Sequence, residues 1–190
     1  MPDHDSIRER GRSLEEDYFR KKDQELIEKM RRAAAADAAR RDLSAKTGLQ
    51  DPGLLEELEA LGFTPDTVGL LPIVPVLQVA WAEGGITDAE RTLVIQLARS
   101  RGIVEGSAAD RQLSDWMTRR PHADVFTRAT RLVRAMLASE GQEQGSLTAD
   151  DLVKYCESIA AASGGVFGMN KISADERALL AKIAADLKHH

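Results

Sequence analysis

Apolar residues recur at intervals of three and four through most of the chain, and no run of β-branched residues alternates with period two. That periodicity predicts helices rather than strands. The first stripe is Leu54, Leu55, Leu58 and Leu61. Val76, Val79 and Ala80 form the next, followed by Leu93, Val94, Leu97 and Ala98, and then by Leu113, Trp116 and Met117. A longer one runs through Val125, Phe126, Ala129, Leu132, Val133, Met136 and Leu137. Leu152, Val153, Cys156, Ile159 and Ala160 precede the last, Leu179, Leu180, Ile183 and Leu187. The punctuation agrees with these limits. Asp51 is expected as an N-cap with Pro52 at the first helical position, Gly62 as the terminator, and Thr64-Pro65 as the start of another short helix. Thr87-Asp88-Ala89-Glu90 and Ser173-Ala174-Asp175-Glu176 read as capping boxes, in which a hydroxyl and a carboxylate satisfy two orphan amides reciprocally. Ser107, Pro121 and Thr148 open further helices, and the expected class is all-α.

The beginning of the chain reads differently. From Ser6 to Asp42, charges of both signs are dense. Ser13-Leu14-Glu15-Glu16 is another capping box, so a long charged helix is predicted to follow it. Its apolar residues, Leu14, Tyr18, Phe19, Leu26, Ile27, Met30 and Ala33, form a broad, interrupted stripe. Phe19, Leu26 and Ala33 stand seven apart, but the companion heptad positions are charged, which argues against a sustained coiled coil. Three regions result: residues 1–43 as a charged amphipathic helix, 44–63 as a linker and short helix punctuated by Gly48 and Asp51-Pro52-Gly53, and 64–188 as a helical bundle.

Composition narrows the function classes. The 190 residues suit one good-sized domain with an extension. A formal charge of −5 lacks the basic excess expected of a general nucleic-acid binder. The single cysteine, Cys156, excludes an internal disulfide and suits a reducing cytosol. Met1 to Arg12 has no apolar segment and does not read as a secretory signal. No apolar run reaches the length of a membrane span, the longest, Val68 to Ala82, being broken by Pro72 and Pro75. A cytoplasmic protein is expected.

An internal repeat is visible. Val76 to Gly85 lies over Cys156 to Gly165, with matching apolar positions and a Gly pair at the end of each. Ile86-Thr87-Asp88-Ala89-Glu90-Arg91 then matches Ile172-Ser173-Ala174-Asp175-Glu176-Arg177, after six extra residues in the second copy. Each copy reads as a helix, a Gly turn and a capped helix, so two related helical hairpins are expected to pack into one bundle. These residues resemble the TerB-like (tellurite-resistance) family over about Thr64 to Leu187. The family places Asp before the turn Gly, where this chain has Glu83 and Ser163. The resemblance implies an all-α bundle, a link to stress responses, metal binding through acidic residues, and service as a module in larger assemblies.

Two kinds of site follow. Glu83, Asp88 and Glu90 surround one turn, and Asp175 and Glu176 its counterpart. Two facing turns of this kind would offer oxygen ligands to a divalent cation such as calcium. The same acids also suit helix caps and the positive end of the helix dipole. Leu14, Tyr18, Phe19, Leu26 and Met30 form the second candidate. They would pack on the bundle, pair with a second copy as a homo-oligomer, or anchor the helix in a protein partner's groove. Gly164-Gly165-Val166-Phe167-Gly168 lacks the strand and the Lys-Ser/Thr of a phosphate loop. Cys156 sits on an apolar face, and His122 is expected at the surface. No catalytic motif is present, so a non-enzymatic protein is expected.

Overall fold

The computed structural model describes residues 3–139, 147–163 and 172–188, with only the backbone of 3–14 and 163. Gly164 to Lys171, including the second Gly turn and the candidate phosphate loop, lies outside the described residues. The fold is all-α: eight α-helices and one 3-10 helix, with no strand among the described residues. The chain divides into two units, Met1–Arg41 and Asp42–His190.

The first unit is built on helix α1, Asp3–Thr47, whose residues from Asp42 onward belong to the second. The helix begins before Ser13, leaving the Ser13–Glu16 box in its interior. Arg8, Glu9, Arg10 and Arg12 are good helix formers and extend it backwards, so the box is not its start. Opposite charges one turn apart support it: Asp17 with Arg20, Lys22 with Glu25 at 3.5 Å, and Glu28 with Arg32 at 2.9 Å. All are exposed, so each contributes a few tenths of a kcal/mol at most.

The second unit contains the core. Residues 44–63, expected as a linker and short helix, contribute Leu49, Leu55, Leu58 and Phe63 to it, and Leu43 joins them from the end of α1. Helix α2, Pro52–Ala60, starts as predicted: the Asp51 carboxylate accepts from Gly53 N at 2.8 Å and Leu54 N at 3.1 Å. It ends in a Schellman turn, with Phe63 N donating to Leu58 O and Gly62 N to Glu59 O. Gly62 takes φ +83°, which a side chain would strain.

Thr64-Pro65 does not open an α-helix. Thr64 to Thr67 form a turn held by the Thr67 hydroxyl, which accepts from Thr64 N at 2.9 Å. A 3-10 helix follows at Val68–Ile73. Pro72 inside this segment has no N–H to give, which disfavours a regular α-helix there. Helix α3, Val74–Ala80, continues from it. Six of its seven residues are buried, the mark of a helix enclosed on all sides.

Four helices enclose α3. They are α4, Asp88–Ser100; α6, Ala123–Ser139; α7, Ala149–Ser163; and α8, Ala174–Lys188. Helix α5, Ala108–Thr118, packs on the 3-10 segment, and α2 packs on α6. The first helices of the two repeat copies, α3 and α7, lie directly against each other, and α4 and α8 both pack on α7. Trp81 donates from Nε1 to Trp116 O at 2.9 Å, and the Trp116 ring meets Phe63 edge-on at 5.9 Å. That cluster ties the ends of α2, α3 and α5 together.

A paired set of ion pairs joins α2 to α6. Glu57 of α2, 8% exposed, accepts from Arg128 Nε at 2.8 Å and also pairs with Arg131, both on α6. Burial pushes this carboxyl upward, but the hydrogen bonds and charges of the two arginines outweigh it and hold the group below the ordinary range.

Candidate functional site

The α1 stripe is assembled by helix geometry alone. At 3.6 residues per turn, Phe19, Leu26, Met30 and Ala33 fall within an arc of roughly 60°, with Tyr18 and Ile27 about 60° beyond either edge. Every residue from Glu15 to Ala38 is exposed. Seven large hydrophobic side chains are exposed among the described residues, and five stand here: Tyr18, Phe19, Leu26, Ile27 and Met30, at 48–64%. The Tyr18 and Phe19 rings meet edge-on at 5.9 Å, and the Lys22 ammonium lies 5.8 Å from the Tyr18 ring centre. Leu14, the remaining predicted anchor, has its side chain outside the described residues. Ile27 extends the predicted set; its i+1 spacing from Leu26 places it at the edge of the stripe.

The acidic candidates divide into two kinds. Glu90 and Glu176 point inward and are 2% and 1% exposed. Each closes a capping box of the predicted form. Glu90 accepts from Thr87 N at 2.7 Å and from its hydroxyl at 2.8 Å, and Glu176 accepts from Ser173 N at 2.7 Å. The hydroxyls of Thr87 and Ser173 accept the return bonds from Glu90 N and Glu176 N. Burial pushes the Glu90 carboxyl above the ordinary range against the two bonds from Thr87, and the charges of Glu176 and Glu83 push the same way. Acids from both repeat copies therefore share one electrostatic neighbourhood. Glu83, Asp88 and Asp175 are exposed. Among the described residues, no three His, Cys, Asp or Glu side chains gather as a donor set for a metal ion.

The arginine that follows each capping Glu has a separate task in each copy. Arg91 donates to Met117 O at 3.1 Å, holding the end of α5, whereas Arg177 donates to Ile172 O just before its own helix. Cys156 is fully buried, and burial pushes its thiol up to about 12, leaving almost no thiolate at neutral pH. His122 is exposed and lies 3.4 Å from Asp124.

A second feature was not anticipated from the sequence. A groove of about 320 Å³ lies among α3, α4 and α7. Its α4 side is read from Leu93, Gln96, Leu97 and Ser100, which share one face at helical spacing. The α7 side lies more than fifty residues away in sequence, and no local pattern pairs the two. Among the described residues, no helix is long and apolar enough to cross a membrane. No family model matches the chain, and neither the curated proteins nor the solved structures contain a match to it.

Proposed function

We propose that this protein is a non-enzymatic interaction module that docks a protein partner through the apolar face of α1, with a TerB-like bundle as its body. The single observation that carries the reading is the uncovered stripe of Phe19, Leu26 and Met30, flanked by Tyr18 and Ile27. A helix that supports itself by internal ion pairs has no need of large apolar groups for solvation. Placed on one face, they suit the groove of a partner. The repeated Ile-Thr/Ser-x-x-Glu-Arg motif and its two formed capping boxes support the TerB-like reading of the body.

The test is the full chain with Phe19→Ala, Leu26→Ala and Met30→Ala together. Burial of each side chain in a groove contributes about 1.5–3 kcal/mol, so loss of all three weakens capture of the partner at least about 100-fold. The unfolding transition of the variant stays where it was. Equal capture by both chains would sink the reading.

A second reading, a divalent-cation-responsive stress protein, draws support from the shared neighbourhood of Glu83, Glu90 and Glu176. The bonds from Thr87 and Ser173 fall on one oxygen, Oε2, of each carboxylate, so the caps themselves do not have to open for this reading. On this reading calcium raises the Tm, and Asp88→Asn with Asp175→Asn abolishes the rise. A flat calcium titration counts against it.

A further inference from the structure

We propose that Met30 is a site of reversible oxidation by a hydroperoxide, and that its sulfoxide withdraws the α1 face from docking. The exposures select the residue. Met30 is 64% exposed, whereas Met117 and Met136 are 5% exposed each. Met1 and Met169 lie outside the described residues. The other sulfur, that of Cys156, is fully buried and stays a thiol, which reacts far more slowly with peroxide than a thiolate does. Among the described residues, an oxidant in solution therefore meets the Met30 thioether first.

The reaction needs no neighbouring side chain. A sulfur lone pair attacks one oxygen of the peroxide, the O–O bond breaks and an S–O bond forms. Sulfur gives up two electrons, and the second oxygen takes the proton of the first and leaves as water. A dithiol-dependent sulfoxide reductase reverses the change: the dithiol becomes a disulfide and the oxygen departs as water. Position gives the oxidation its effect. Met30 stands on the apolar face between Leu26 and Ala33, one turn from each. Ala33 and Ala34, its neighbours on the following turn, are too short to take over its contact. The thioether is apolar and adaptable, whereas the sulfoxide is polar and chiral. In an apolar groove the added oxygen meets no donor, so its burial costs more than the lost contact alone.

The consequence for docking rests on the function proposed above; the selectivity of the oxidation does not. The full chain is treated with hydrogen peroxide, and each methionine is followed by peptide mapping. Met30 is oxidised at least about ten-fold faster than Met117 or Met136, which react only when the bundle opens. The probe of the face is a phenyl resin. The oxidised chain is retained less than the untreated one, and a sulfoxide reductase restores the retention. Met30→Leu keeps an apolar group of similar volume, and peroxide does not move its retention. Met30→Gln, polar and of similar length, matches the oxidised chain with no oxidant present. The unfolding transition stays where it was in both variants, because the position is exposed. Equal oxidation rates at the three methionines overturn the proposal. So does a retention that oxidation leaves unchanged, or one that falls as far in Met30→Leu as in the unaltered chain. The docking reading fails separately: equal partner capture by the variant lacking the Phe19, Leu26 and Met30 side chains sinks it, and leaves the oxidation rates and the retention as they are.

Discussion

Leu77→Ala lowers the unfolding free energy by about 2–5 kcal/mol, while Leu26→Ala, which deletes the same atoms, changes it by less than about 0.5 kcal/mol. Leu77 lies at the centre of α3, 0% exposed and enclosed by four helices, so its removal leaves a cavity that rigid neighbours cannot close. For a chain of this length the loss corresponds to a fall in Tm of about 4–20 °C. Leu26 is 56% exposed, and its loss forfeits little packing; alanine is also the better helix former. The check is denaturant unfolding of both variants of the full chain, followed by helical ellipticity. A cost above about 1 kcal/mol for Leu26→Ala would mean that the chain covers its own stripe, and the docking reading would lose its motive.

The second large effect concerns charge. Arg128→Ala with Arg131→Ala strips Glu57 of both partners and destabilises the fold by about 2–3 kcal/mol at neutral pH. That is below the usual cost of breaking a buried pair, because the two arginines are themselves 40% and 58% exposed and lose less. Acid reverses the pattern. In the unaltered chain the folded Glu57 carboxyl is held below its unfolded value. Its contribution is therefore present above the unfolded pKa and lost as pH falls through the folded one. In the double variant only burial acts, so the folded pKa rises above the unfolded one. The penalty is then full at neutral pH and relieved as pH falls through the raised value. The stability gap between the two chains narrows from pH 7 to about pH 4. A gap independent of pH would show that the arginines act by packing rather than by charge.

These two cases also mark where local sequence carried information. Asp51, Thr87, Ser107 and Ser173 occupy the caps expected of them, because a cap is decided by a hydroxyl or carboxylate and an amide two or three residues on. Ser13 has the same pattern and is no cap, since the residues before it favour helix as strongly as those after it. Gly48 and Asp51-Pro52-Gly53 punctuate a tight corner in the same way as a linker, and only the burial of Leu43, Leu49 and Leu58 distinguishes them. The stripe on α1 was legible from periodicity, whereas its exposure was not. Glu57 and Arg128 stand 71 residues apart, and the walls of the groove come from opposite repeat copies. Contacts of that range are made by packing and leave no spacing to read.

The two tryptophans bear on how any such measurement is understood. Trp81 and Trp116 are the only ones in the chain, and both sit in the cluster that joins α2, α3 and α5. Tryptophan emission is therefore the voice of the second unit alone. A stability or a ligand response taken from that light belongs to the bundle, and the helix that carries the stripe is silent in it.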